Sequence, residues 1–79
     1  MAETKPPITA TTIAANVRAE VARTRTSQTA LAHLLNLSQS SVSMRLRGAT
    51  PFSAHELATI ATHLGVPVNT FYQHTTTAA

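Results

Sequence analysis

The segment from Ser27 to Gly48, SQTALAHLLNLSQSSVSMRLRG, constrains the fold more than any other part of the chain. Ser27 and Ser38 are good N-cap residues, because a serine hydroxyl accepts a bond from an otherwise unpaired amide of the first helical turn. Each precedes a stretch with apolar residues at helical spacing: Leu31, Ala32, Leu34 and Leu35 in the first, Val42 and Leu46 in the second. Asn36 stands between them, where the chain has to reverse. Asparagine tolerates the left-handed backbone region better than most residues with a side chain. Leu37 follows as an inward anchor, and Gly48 closes the second stretch with a residue free to adopt positive φ. The segment therefore reads as two short helices, about 28–35 and 39–47, joined by a tight turn.

The flanks supply more helix and no strand. Ile13, Val17 and Val21 recur every fourth residue with Ala14 beside them, which predicts a first helix capped by Thr11 or Thr12 and ending near Thr24. Pro6 and Pro7 oppose a helix before it, so residues 1–10 read as a disordered arm. After the loop Ala49–Phe52, Ser53 and Glu56 form an S-x-x-E capping box. Leu57, Ile60, Ala61 and Leu64 then follow the i, i+3, i+4, i+7 pattern, with Gly65 as the stop and Pro67 beyond it. Asn69 is placed to cap a last short turn carrying Phe71 and Tyr72, and residues 75–79 read as a frayed tail. No segment alternates apolar and polar residues. The expected fold is all-α: a compact bundle of four to five short helices over residues 11–74, containing a helix-turn-helix.

At 79 residues there is room for one small domain, and without cysteine neither disulfides nor thiolate-bound zinc can support it. No apolar run approaches the roughly 18 residues of a membrane span. No basic-then-apolar leader opens the chain. A soluble cytoplasmic protein is expected. His33, His55, His63 and His74 lie on separate elements without an H-x-x-x-H pair, and only Glu20 and Glu56 are carboxylates of the folded region. There is no G-x-S-x-G elbow and no glycine-rich phosphate loop. Phe52, Phe71 and Tyr72 read as core or loop anchors rather than a base-stacking platform. These features argue against an enzyme, a metal site, a cofactor or a small-molecule substrate.

The charge points elsewhere. The formal net charge is +3, and five of the six basic residues are arginines: Arg18, Arg23, Arg25, Arg45 and Arg47. Between Arg18 and Arg47 only Glu20 opposes them, and arginine without compensating acid suits phosphate. A helix that opens with Gln39 and carries Ser40, Ser41 and Ser43 can approach a groove closely. Glutamine both donates and accepts, so Gln39 can match adenine N6 and N7 for roughly 1–3 kcal/mol of discrimination. Arg45 and Arg47 diverge by about 200° on a helix. Arg47, beside the loop, is the phosphate candidate. Arg45 stays open between phosphate and guanine. Arg18, Arg23 and Arg25 are placed to flank the backbone.

From Val17 to Phe71 the chain resembles the lambda-repressor-like, Cro-type helix-turn-helix family, also named after the xenobiotic response element. The marks are S-Q at Ser27–Gln28, L-A at Leu31–Ala32, S-Q-S at Ser38–Ser40, R-G at Arg47–Gly48, E-L at Glu56–Leu57 and I-A-x-x-L-G-V from Ile60 to Val66. The resemblance implies a bundle that binds double-stranded operator DNA, commonly as a homodimer. It implies base readout by Gln39, Ser40 and Met44. Phosphate contacts would come from Ser27, Gln28, Ser43, Arg47 and the loop after the second motif helix, at Thr50; Ser41 and Arg45 are further supporting candidates by their place on that helix. In several relatives the glutamines matching Gln28 and Gln39 cooperate, the first bracing the second. The chain departs from the family at Asn36, where glycine is usual, at polar Thr26, and at Met44, where a hydrogen-bonding reader often stands. Val21 and Leu46 occupy the places of a buried arginine–glutamate pair, and apolar contact there is often neutral or stabilising. The expected function is a transcriptional repressor of phage or prophage type. The rivals are an antitoxin on the same domain, and an adaptor that binds a protein through Val66, Val68, Phe71 and Tyr72.

Overall fold

The computed structural model describes residues 7–74. Among these residues four α-helices follow one another: α1, Ala10–Arg23; α2, Gln28–Leu35; α3, Gln39–Leu46; and α4, Ala54–Leu64. A 3-10 turn, Val68–Tyr72, closes the fold, and no strand occurs among the described residues. The all-α expectation holds.

Every α-helix starts in the same way. The hydroxyls of Thr9, Ser27, Ser38 and Ser53 accept the amide three residues ahead at 3.1, 3.0, 3.1 and 3.0 Å. At α4, Glu56 Oε1 also accepts the Ser53 amide at 2.9 Å, completing the expected capping box. The start of α1 needs correction: Thr9 is the cap, not Thr11 or Thr12. Pro7 lies two residues before it, where the extended backbone that proline favours leads into the extended Thr9 rather than obstructing the helix. The expected arm therefore loses Thr9 and Ala10 to the helix. Residues 1–6 of that arm and the tail 75–79 lie outside the described residues.

The helices also end alike. Arg25, Asn36, Gly48 and Gly65 take positive φ, at 56, 56, 79 and 73°. The amide after each reaches back five residues: Thr26 to Val21 at 3.0 Å, Leu37 to Ala32 at 2.9 Å, Ala49 to Met44 at 3.0 Å and Val66 to Ala61 at 3.0 Å. These are Schellman closures, which use the last carbonyls that the helix itself leaves unpaired. Gly48 is required twice over, because a Cβ there would stand 3.2 Å from Thr11 Cα. The terminal turn also differs from expectation. Pro67 rather than Asn69 precedes it, and the Pro67 carbonyl accepts the Thr70 amide at 3.0 Å with no side-chain cap.

These ends set the angles at which the apolar faces meet. Val17, Leu31, Val42, Leu57, Ile60 and Phe71 are fully buried, with Ala32, Leu46 and Ala61 completing the core. α3 packs mainly against α1 and α2, while α4 packs against α2 and the 3-10 turn. Phe71 plugs the bottom of the bundle. The Asn16 amide straps that turn to α1 by donating to the Phe71 carbonyl at 2.9 Å and the Gln73 carbonyl at 2.7 Å. Among the described residues no helix is long and apolar enough to cross a membrane.

Candidate nucleic-acid interface

The left-handed turn at Asn36 sets α2 and α3 as the two arms of a helix-turn-helix. Val42 and Leu46 turn α3 toward the core. Residues three, four and seven apart share a helix face, so Ser40, Met44 and Arg47 form one outward strip, and all three are exposed. Met44, 37% exposed, is the apolar member of the strip. Gln39 opens the helix at the edge of this strip and is exposed as well. The structure thus brings together the residues expected to read bases.

Gln39 is braced, although not by the expected partner. Its Nε2 donates to Thr29 Oγ1 at 3.0 Å, whereas Gln28, exposed like Thr29, makes no side-chain bond to it. Both residues stand in the first turn of α2, but Thr29 is on the side facing α3. The contact leaves Gln39 one amide hydrogen and its carbonyl oxygen, the pair needed for adenine. Arg47 lies over Met44, with Nη2 3.1 Å from the thioether sulfur.

The supporting residues divide. Ser27 caps α2 and is exposed beside Gln28. Ser43 is half-buried on the flank of the strip. Ser41 is tied into the α3 cap, its Oγ accepting from Ser38 at 3.1 Å, so its part is internal support. The Thr50 amide is spent on the Met44 carbonyl at 3.3 Å, which leaves only its hydroxyl for a phosphate.

Arg45 requires correction as a DNA-contacting candidate. Its Nε donates to Glu56 Oε1 at 3.0 Å and its Nη1 to the Ser41 carbonyl at 3.2 Å. The two side chains are only 18% and 17% exposed. Arg45 follows Met44 by one residue, and the 100° step carries it from the outward strip toward α4. Burial pushes the Glu56 carboxyl up, but the Ser53 amide and the Arg45 guanidinium outweigh it and hold the group below its ordinary value.

Two more arginines are engaged. Arg18 Nη1 donates to the Leu46 carbonyl, so a cation from α1 caps the negative end of α3. Arg23 pairs with Glu20 at 2.8 Å on the exposed side of α1. Arg25 and Arg47 are both exposed, and no carboxylate of the described residues pairs with either. Arg25 precedes the amino end of α2 and Arg47 follows α3, so the two cations bracket the helix-turn-helix. Among the described residues no cluster of histidine and carboxylate side chains is arranged to hold a metal.

Sequence reasoning missed Thr29, the Arg45–Glu56 pair and the Arg18 cap. The first two join residues ten and eleven positions apart, on different helices. No local pattern marks them.

The comparisons with known proteins agree with this architecture. The family model described as BetR domain matches residues 5–79. No curated protein matches the chain. The chain belongs to the BetR domain family, a family of small helical, helix-turn-helix-like domains.

Proposed function

We propose that the chain is a sequence-specific double-stranded DNA-binding transcriptional regulator, a Cro-type repressor of a phage or prophage, working in the cytoplasm. It acts by binding and not by catalysis. The observation that carries this reading is the exposed strip of Gln39, Ser40, Met44 and Arg47, with Gln39 braced by Thr29 and unpaired arginines at both ends. In this mechanism α3 lies in the major groove. Gln39 faces an adenine, Met44 meets a thymine methyl, and Ser40 permits close approach. Arg47, Arg25 and the amino end of α2 around Ser27 and Gln28 hold phosphates. Occupancy of the operator excludes polymerase or a competing regulator.

Pairing of two copies on a two-fold site belongs to the same reading. Val68 and Tyr72 are each 40% exposed beside buried Phe71, and they supply the apolar contact. Selection of duplexes from a random library, followed by fluorescence-anisotropy titration, tests the whole. The selected duplex is expected to bind in a salt-sensitive way, and Gln39→Ala and Arg47→Ala are each expected to weaken it about tenfold. Failure to enrich any duplex, or affinity unchanged in both variants, refutes the assignment.

A further inference from the structure

The recognition face of α3 is not held by apolar packing alone. Val42 and Leu46 seat it in the core, and no other residue of this eight-residue helix is buried. Its main packing is against α1 and α2, on one side. Three polar bridges constrain the roll. Gln39 reaches Thr29 on α2, Arg18 reaches the Leu46 carbonyl from α1, and Arg45 reaches Glu56 on α4. The third is the only charged pair of the three, and it links α3 to the helix on its other side.

The details of that pair make it stiff. Glu56 Oε1 accepts from Arg45 and from the Ser53 amide, so the carboxylate is itself anchored to the first turn of α4. Arg45 is anchored at its other end, through Nη1, to the Ser41 carbonyl one turn back on α3. The two helices are thus joined through a chain of bonds that starts and ends on backbone, Ser41 carbonyl to Arg45 to Glu56 to Ser53 amide. Both side chains are more than four-fifths covered, so water competes weakly for them.

We infer that Glu56 and Arg45 are positioning residues for DNA recognition: Glu56 withholds the Arg45 guanidinium from the DNA backbone and uses it to fix the roll of α3. The inference rests on the proposed DNA-binding function and adds to it a residue on α4, outside the exposed strip of α3. Rolling α3 by even a fraction of a turn moves Gln39, Met44 and Arg47 together, so losing the pair degrades base discrimination before it degrades non-specific attraction.

The test uses Glu56→Gln and Arg45→Met, singly and together, on the full chain. Glutamine keeps Oε1 as an acceptor and nearly the same shape, so α4 retains its start, while any bond that Arg45 still makes there loses its charged partner. Circular-dichroism melts identify a temperature at which every variant is folded. Titrations then follow the duplex selected by the wild-type chain, a scrambled duplex, and the salt dependence of each. Glu56→Gln is expected to weaken the selected duplex about tenfold, with Arg45→Met similar and the double variant no worse than either. Affinity for the scrambled duplex holds or rises, and the salt slope of Arg45→Met equals that of the wild type. If Arg45 touched phosphate instead, Glu56→Gln would tighten binding and Arg45→Met would flatten the slope by about 0.9. Either result overturns the inference, as do additive losses or an unchanged ratio of selected to scrambled affinity. Should Arg45→Met fail to fold, the sign of the Glu56→Gln effect still decides. A wild-type chain that binds no duplex refutes the function itself, a distinct outcome.

Discussion

Replacing Arg25 by glycine should make the domain more stable and a poorer DNA binder. Arg25 has φ of 56° at the closure of α1, where the Thr26 amide must reach the Val21 carbonyl at 3.0 Å. A residue with a Cβ loses about 1–2 kcal/mol in that conformation. Glycine removes this strain but gives back about 0.4–1 kcal/mol through the greater freedom of the unfolded chain. The net gain is about 0.5–1 kcal/mol. For a domain of this size that raises the melting temperature by about 2–8 °C. Thermal melts by circular dichroism read it directly. The same change deletes one of the three exposed arginines, Arg18, Arg25 and Arg47, that no carboxylate of the described residues pairs. The slope of log affinity against log salt should therefore become less negative by about 0.9 for each copy bound. Asn36→Gly is the control. It relieves the same φ of 56°, but asparagine bears the left-handed region more easily, so a gain of only a few tenths of a kcal/mol is expected, with little change in salt slope. A melting temperature lowered by Arg25→Gly would refute the strain argument. An unchanged salt slope would remove Arg25 from the interface.

Gly48→Ala should cost about 1–3 kcal/mol, because the new methyl meets both an unfavourable φ of 79° and the Thr11 backbone at 3.2 Å; chemical denaturation measures it, and a neutral result would show that α1 yields easily. Stability should fall in acid partly through Glu56. Its folded-state pKa is lowered, so its contribution is fully present above the unfolded carboxylate value and is lost as pH falls through the folded one. Melting temperatures followed from neutral pH into acid should show a shallower decline in Glu56→Gln than in the wild type, and parallel curves would count against the pair's role in stability.

The local grammar of the fold was legible because it is written in residues with narrow conformational uses. Ser27, Ser38 and the Ser53–Glu56 box announced three helix starts, and Asn36, Gly48 and Gly65 announced three ends. The start of α1 was misplaced because the two prolines were weighed as barriers, when the cap itself requires extended chain. The left-handed Arg25 left no trace, since arginine carries no preference for that conformation; tertiary closure imposes it. At the interface, the outward strip followed from the period of α3. What each polar side chain bonds depends on which helix lies beside it. Thr29 therefore replaced Gln28 as the brace of Gln39, and Arg45 turned toward Glu56 on α4.

The most direct measurement of the central claim is an amide chemical-shift titration of the labelled chain with its selected duplex. If α3 enters the groove, the largest changes fall on Gln39–Leu46 and Arg47, with a second group at Arg25 and Ser27–Thr29. The outward face of α4, marked by His55, Ala58 and Thr62, stays still. Shifts concentrated on that face, or on Val68–Tyr72 with α3 unmoved, would contradict the account.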